Sequence, residues 1–176
     1  FADGGTAVAR VIGSDPSTDL ALLQVKRDAR ALHPIPLGST KTLRVGDPVL
    51  AIGDPFGYAA SASAGIVSGL GRSIEAPNGF TTTGAIQTDA AVNHGNSGGA
   101  LLDARGRLIG VPTQIAESGV NANVGVAFAV PVETVKKVAA DLVRFGASRQ
   151  SWLGISGVTI TESLADVLPD LPDHGA

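Results

Sequence analysis

The chain is organised around the heptapeptide Asn93-His94-Gly95-Asn96-Ser97-Gly98-Gly99. Glycine tolerates positive φ and the close approach of other groups, so this loop can turn its N–H groups inward. If the N–H groups of Gly95 and Ser97 converge beside the Ser97 hydroxyl, they form an oxyanion hole. The heptapeptide is also typical of a plain glycine-rich turn, and Gly95-x-Ser97-x-Gly99 fits the nucleophile elbow of α/β-hydrolases. It therefore suggests a serine nucleophile without fixing the fold.

The residues after Ser97 distinguish an α/β-hydrolase fold from a chymotrypsin-like fold. An elbow continues into a helix, whereas here two short apolar runs, residues 100–102 and 108–111, flank a turn at residues 103–106. This pattern predicts a β-hairpin. The best candidate acid, Asp19, precedes Ser97, as in the chymotrypsin-like order His, Asp, Ser and unlike the elbow order. The sequence therefore predicts a chymotrypsin-like fold.

Composition limits the function classes. The 176 residues are 44% hydrophobic and 4% aromatic, carry a formal net charge of −3 and contain no cysteine. Nucleic-acid binding is not expected, since a basic face with interleaved aromatics is missing. A disulfide or a cysteine nucleophile is excluded. There is no 18-residue apolar run and no signal sequence, so no membrane span is expected. The start at Phe1, without Met, predicts that the chain is a fragment.

Short strands without intervening helices predict an all-β barrel or sandwich. The strands are expected at residues 6–12, 20–25, 49–53, 66–70, 81–88, 100–102, 108–111, 111–115 and 124–130, with a loop from residue 72 to 79. One helix is predicted from the apolar stripe Val132, Val135, Val138 and Leu142. Gly146 is expected to end this helix.

Asp19 lies where a polar loop meets an apolar strand. In a catalytic triad its carboxylate would accept a hydrogen bond from an imidazole and fix the tautomer of that ring. The alternatives are an acid in a solvated turn or an Asx-turn, with Asp15 as a nearby competitor.

None of the three histidines suits the role of base. His33 lies in a proline-flanked loop and His174 near the last residue. His94 shares the tight loop with Ser97, where its ring cannot easily both reach Oγ and meet Asp19. The base is therefore expected upstream of Phe1, and this chain alone is expected to be essentially inactive. No two histidines have metal-ligand spacing, so no metal and no cofactor is expected.

Four segments resemble the HtrA (DegP-type) serine proteases. They are Asp15-Pro16-Ser17-Thr18-Asp19-Leu20-Ala21-Leu22-Leu23, Ala51-Ile52-Gly53-Asp54-Pro55-Phe56-Gly57, Gly65-Ile66-Val67-Ser68 and Gln87-Thr88-Asp89-Ala90-Ala91-Val92-Asn93-His94-Gly95-Asn96-Ser97-Gly98-Gly99. The resemblance implies a chymotrypsin-like double β-barrel, incomplete at the N-terminus of its first barrel, with one C-terminal helix. It implies that Ser97 is the nucleophile, that Asp19 is the triad acid, and that Gly95, Asn96 and Ser97 form the oxyanion hole.

The resemblance also implies substrate-binding residues. It assigns Val92 and Ile115 to a primary specificity pocket for small aliphatic side chains, although ordinary core positions are an alternative for both. It assigns the edge Thr113-Gln114-Ile115 to an unfolded substrate that binds as an added strand, where main-chain hydrogen bonds give affinity with little sequence demand. His94 and Pro112 depart from the family pattern, and their roles are open.

The resemblance further implies three regions: a protease domain at residues 1–146, a linker at 147–151 and the start of a PDZ domain at 152–176. Leu153, Gly154 and Ile155 resemble a PDZ carboxylate-binding loop. The implied protein is an extracytoplasmic quality-control endopeptidase, in the periplasm or cell envelope, that acts on unfolded polypeptides and forms trimers or larger oligomers. A membrane tether is expected only through an upstream segment. The alternatives are a non-catalytic, chaperone-like protein with a protease fold, and an elbow-type esterase with a helix directly after Ser97.

Overall fold

The structure is a computed structural model that describes residues 1, 3–28, 30, 32–55, 61–76, 78–115 and 125–149, without the side chains of residues 114 and 115. These residues form eight strands and one helix. In chain order they are β1 (Ala9–Asp15), β2 (Leu20–Val25), β3 (Pro48–Gly53), β4 (Ser61–Glu75), β5 (Thr81–Thr88), β6 (Ala100–Asp103), β7 (Leu108–Ile115), β8 (Ala127–Pro131) and α1 (Val132–Phe145).

Six strands close into an antiparallel barrel in the order β3-β4-β5-β8-β7-β6. Alternate residues of each strand face inward, because successive side chains point to opposite faces. The buried core residues are Val49, Ala51, Val67, Ile86, Ala90, Val92, Leu101, Ile109, Ala127 and Ala129. The predicted fold class, mostly β with a chymotrypsin-like barrel and one helix, is confirmed.

The hairpin after the serine is also confirmed. β6 pairs antiparallel with β7, with Leu101 opposite Gly110. Gly106 adopts a φ of 71° in the connecting turn, and its N–H donates to Asp103 O at 2.9 Å. The chain after Ser97 therefore enters a strand rather than a helix. The elbow-type esterase considered above is wrong for this reason.

β1 and β2 form a separate two-stranded antiparallel sheet. This sheet packs on α1, since a Cβ atom on Gly13 would lie 2.6 Å from the Gly146 carbonyl oxygen. Its turn is tied to the barrel, because the Thr82 hydroxyl donates to Ser17 O at 2.6 Å. We call residues 16–19 the Asp19 turn. The helix and β5 together fix the position of this turn.

The predicted helix is confirmed over Val132–Phe145. Val132, Val138 and Leu142 form its buried side. The helix ends at Gly146, whose φ of 70° is left-handed and whose N–H donates to Leu142 O at 3.0 Å. Glycine is the residue that adopts this cap without steric cost.

Several strand boundaries differ from the prediction. β1 begins at Ala9 rather than at residue 6, β8 spans Ala127–Pro131 where 124–130 was predicted, and the strands predicted at 108–111 and 111–115 form the single strand β7. β1 runs to Asp15 rather than ending at residue 12, because the turn residues continue the pairing as far as Asp15 opposite Leu20. β4 spans Ser61–Glu75, so the predicted loop from residue 72 is wrong over its first four residues. The start of β4 contains only serine and alanine before Gly65, side chains too small to give an apolar alternation. Its end pairs with β5, with Ile74 buried opposite Thr82.

Several expectations lie outside the described residues. They are the end of the linker, the PDZ start at residues 152–176 and the carboxylate-binding loop Leu153, Gly154 and Ile155. Among the helices that the structure does describe, none has the length and apolar character needed to cross a membrane.

A carboxylate clasp joins the start of α1 to the segment before β3. Glu133 accepts hydrogen bonds from the Ser39 hydroxyl at 2.8 Å and from the Thr40 N–H and hydroxyl at 2.9 and 2.7 Å. Partial burial raises the pKa of Glu133, but the hydrogen bonds from Thr40 and Ser39 outweigh it and lower the pKa to about 2. A lowered folded-state pKa stabilises the fold above the unfolded-state value of 4.5.

The first prediction concerns this clasp. Glu133→Gln is expected to lower the free energy of unfolding by about 1 kcal/mol at pH 7, the net value of a partly exposed charge-assisted hydrogen bond. The difference from wild type should shrink as the pH falls from 5 towards 2, because the wild-type carboxylate becomes protonated there. Urea titrations at several pH values measure it. Glu75→Gln, the same change at an exposed position on β4, is the control, and an equal, pH-independent loss in both variants would contradict the clasp.

Candidate active site

Residues 93–99, which we call the serine loop, run from β5 towards β6 as two successive tight turns. The Asn96 N–H donates to Asn93 O and the Gly99 N–H donates to Asn96 O, both at 3.0 Å. Gly95 and Gly98 adopt φ values of 97° and 80°. These left-handed conformations require glycine, as the motif predicts.

The serine loop lies directly on the end of β3. A Cβ atom on Gly95 would stand 2.4 Å from Asp54 O, and one on Gly99 would stand 2.1 Å from Ile52 O. Asn96 is 5% exposed, and its side-chain amide donates to Ala91 O at 3.3 Å. The loop therefore contacts the barrel through its backbone. This close approach is possible because Gly95 and Gly99 carry no side chain.

The three loop N–H groups differ in their partners. The Asn96 N–H donates to Asn93 O, as described. Within the part of the chain that the structure describes, the N–H groups of Gly95 and Ser97 make no hydrogen bond. These two donors are therefore free for a ligand, whereas the Asn96 N–H is occupied.

Thr113 connects the predicted nucleophile to the predicted acid. The Ser97 hydroxyl donates to Thr113 O at 3.2 Å, and the Thr113 hydroxyl donates to Asp19 Oδ2. Thr113 is the extra residue of a β-bulge, since Pro112 and Gln114 pair with the adjacent residues 129 and 128 of β8. A bulge re-aims a residue out of the regular ladder. This is how one residue can contact two distant parts of the chain.

The structure separates the roles of the two candidate acids. Asp15 is 4% exposed, and its carboxylate accepts hydrogen bonds from the Ser17 N–H at 3.1 Å and the Thr18 hydroxyl at 3.0 Å. It therefore shapes the Asp19 turn as an Asx-type motif. Asp19 is exposed and reaches Thr113 instead. Its φ of 55° is left-handed, which is uncommon for a residue with a side chain.

A cavity of about 300 Å³ adjoins Asp19. We call it the Asp19 cavity; its lining includes Thr18, Ile74, Thr82 and Thr113. His33 and His94 are both exposed, and in the described residues no hydrogen bond joins either one to Asp19 or Ser97. His174 lies outside the described residues. The acid and the serine thus both contact Thr113, and the Asp19 cavity opens beside Asp19 and Thr113.

The other predicted site residues are placed as follows. Val92 is 2% exposed and packs in the barrel core. The backbones of Gln114 and Ile115 lie in β7 opposite residues 128 and 127, and their side chains lie outside what is described. Among the described residues, no group of three or more His, Cys, Asp or Glu side chains could hold a metal ion.

Sequence reasoning missed two contacts that organise this site. It assigned Thr113 to substrate binding and did not foresee its link to Asp19. It left Pro112 unexplained, but Pro112 is fully buried and its carbonyl accepts the Gly98 N–H at 3.0 Å. A proline in a strand often marks a bulge or the end of pairing, so Pro112 was the available signal for the bulge at Thr113.

Comparison with known proteins defines the class. Residues 1–111 match the family model described as a trypsin-like peptidase domain. The chain therefore belongs to the trypsin-like peptidase family.

Relatives that match all of this chain then identify the group within this family. The chain is 40% identical over 186 residues to serine protease PepD of Mycobacterium tuberculosis and 40% identical over 177 residues to periplasmic serine endoprotease DegP of Escherichia coli. Each match covers 100% of this chain, and respectively 40% and 36% of the relative. A solved structure of the HtrA-type protease AlgW with a decapeptide superposes with a TM-score of 0.81 at 40% identity, over 94% of this chain and 50% of that one. The chain belongs to the HtrA (DegP-type) serine proteases and spans well under half the length of these curated relatives.

Proposed function

We propose that the protein containing this chain is a quality-control endopeptidase that cleaves unfolded polypeptides through an acyl-enzyme. Ser97 Oγ attacks the scissile carbonyl, and the N–H groups of Gly95 and Ser97 stabilise the resulting oxyanion. Asp19 holds the imidazole of a histidine in the tautomer that accepts the Ser97 proton. The observation that carries this proposal is the convergence of Ser97 and Asp19 on Thr113.

The histidine is supplied from outside the 176 residues in this proposal. His33 and His94 are not bonded to the acid or the serine, and the Ser97 hydroxyl donates to a carbonyl rather than to a base. A serine hydroxyl without a base is a weak nucleophile. The chain by itself is therefore expected to hydrolyse peptides very slowly.

The proposed substrate is extended, unfolded chain. Residues 113–115 at the end of β7 are proposed to pair with it as an added strand, with Val92 and Ile115 near the side chain that precedes the cleaved bond. Main-chain pairing selects for an accessible backbone more than for a sequence. The DegP relatives are named periplasmic, which supports an extracytoplasmic location for this protein. The division into a protease domain, a linker and a PDZ start, and assembly into trimers or larger oligomers, belong to the same proposal.

Digestion of matched folded and unfolded substrates tests the function. The complete polypeptide that carries this chain should cleave a reduced and alkylated protein at least about tenfold faster than its native form, because a folded chain must first open. Prior treatment with a fluorophosphonate should abolish cleavage and label Ser97. Binding of the unfolded substrate without cleavage would instead support the non-catalytic, chaperone-like alternative and contradict the proposed protease.

Thr113→Val provides a test of how Asp19 is positioned. Valine keeps the shape of threonine but removes the hydroxyl that donates to Asp19, so kcat is expected to fall roughly tenfold to a hundredfold, as when an outer hydrogen bond to a site residue is lost. KM should change little, because the main chain that pairs with substrate is retained. Thr42→Val, at an exposed position before β3 and away from Asp19 and Ser97, is the control. An unchanged kcat in Thr113→Val would show that the Thr113 hydroxyl does not position the acid.

A further inference from the structure

A polar groove lies between α1, the Asp19 turn and the beginning of β5. Its volume is about 400 Å³. Two cations line it, Lys137 from α1 and Arg149 from the segment after the helix, together with hydroxyl groups from all the surrounding elements. No carboxylate of the described residues is part of its lining. The groove is separate from the serine loop and has no part in the chemistry described above.

We propose that this groove binds a phosphate-class oxyanion. Phosphate oxygens accept hydrogen bonds only, so they need several donors together with positive charge. Lys137 supplies a point charge and Arg149 a planar fork of N–H donors, which are the two cationic groups that recognise phosphate in proteins. The hydroxyl groups between them complete a donor set without a competing acid.

Arg149 is partly organised before any ligand arrives. Its guanidinium lies over the Phe145 ring, 4.6 Å from the ring centroid. The main-chain N–H of Arg149 donates to Asp141 Oδ2 at 3.4 Å, so this neighbouring carboxylate contacts the main chain of Arg149. A stacked guanidinium loses less conformational freedom when it binds an anion.

The hydroxyl groups fall into two sets. Thr82 and Thr18 are buried, and their hydroxyls donate to Ser17 O and to the Asp15 carboxylate. These two form the floor of the groove. Thr81 and Thr83 flank Thr82 on β5 and are exposed, and within the described residues no hydrogen bond involves their hydroxyl groups. Together with Thr134 on α1 they are free to donate to an anion.

The floor of the groove is also a wall of the Asp19 cavity. Thr18 and Thr82 line both spaces, and Thr18 immediately precedes Asp19 in its left-handed conformation. An oxyanion that bridges α1 and β5 would therefore restrain the Asp19 turn. This coupling to catalysis rests on the proposed function, whereas the binding itself does not.

Titration of the full chain with inorganic phosphate at constant ionic strength tests the proposal. The backbone amide chemical shifts of Thr81, Thr83 and Thr134 should change and reach saturation. Parallel titrations with pyrophosphate and glycerol phosphate show whether the groove prefers free phosphate or a phosphate ester. A titration with chloride measures the effect of ionic screening alone. Lys137→Gln and Arg149→Gln should each weaken phosphate binding about tenfold, the loss of one charge-assisted hydrogen bond. Arg105→Gln removes the same charge at an exposed position in the turn between β6 and β7, outside the groove, and should leave the affinity unchanged.

Two results would overturn the proposal. One is the absence of saturable shifts at these threonines. The other is an equal loss of affinity in Arg105→Gln, which would indicate diffuse attraction to positive charge rather than binding in the groove. Thr134→Val gives a charge-neutral check and should also weaken binding. None of these readouts depends on proteolysis, so they can fail or succeed independently of the endopeptidase proposal.

Discussion

Asp19→Asn is expected to lower the kcat of the complete protease about 10⁴-fold while the fold is retained. Asparagine can still accept the hydrogen bond from the Thr113 hydroxyl, so the turn should keep its place. Its neutral amide, however, no longer selects the imidazole tautomer that accepts the serine proton and does not stabilise the imidazolium. Hydrolysis of an unfolded substrate under saturating conditions measures the loss.

The control for this prediction is Asp28→Asn. Asp28 is an exposed acid at the other end of β2, and its carboxylate accepts the Arg30 N–H at 2.9 Å. The same chemical change there should leave kcat unaltered. Unchanged thermal unfolding of Asp19→Asn is part of the expected result. An Asp19→Asn variant with wild-type kcat would remove Asp19 from the mechanism.

Gly99→Ala is expected to produce the largest loss of stability. Its Cβ atom would lie 2.1 Å from Ile52 O and 2.9 Å from Asn96 O, both backbone atoms. A strand of a closed barrel cannot move aside as the end of a flexible side chain can, so we expect a loss of about 3 kcal/mol or more. For a domain of this size that corresponds to a fall in Tm of roughly 6–12 °C.

The adjacent Gly98 separates steric overlap from backbone strain. Gly98 has a φ of 80°, and a Cβ atom there would meet nothing within 4 Å. Gly98→Ala should therefore lose only about 1–2 kcal/mol, the penalty of a left-handed residue that carries a side chain. Calorimetry of both variants tests the order. Equal losses, or a smaller loss for Gly99→Ala, would show that the serine loop is not packed on β3 as described.

Elements with a strong local pattern could be predicted from the sequence. The α1 stripe and the Gly146 cap depend on residues close together in the chain, and the structure has the helix where the pattern indicates it. The hairpin after Ser97 was equally predictable, because its turn and both apolar runs are contiguous. The N-terminal part of β4 was not, since its serine and alanine residues carry no apolar alternation and are held by pairing with β3.

The site was predictable only in its parts. The glycines around Ser97 indicate an unusual loop, and Asp19 could be named as a candidate acid, but the contacts of Thr113 arise from a bulge in β7 and from two segments 94 and 16 positions away in the chain. Residues that are close together in the sequence give no indication that Thr113 contacts both Asp19 and Ser97. The same holds for the groove between Lys137 and Arg149, whose walls come from the Asp19 turn, β5, α1 and the segment after α1.

The most direct test of the central claim is fluorophosphonate labelling of Ser97 in the 176-residue chain, with and without imidazole. If Asp19 and Ser97 face a space that accepts an imidazole ring, added imidazole, at a pH where it is neutral, should raise the labelling rate saturably. The rise should disappear in Asp19→Asn. A labelling rate that imidazole does not change, or that it raises equally in Asp19→Asn, would contradict the claim that this acid and this serine form one catalytic site.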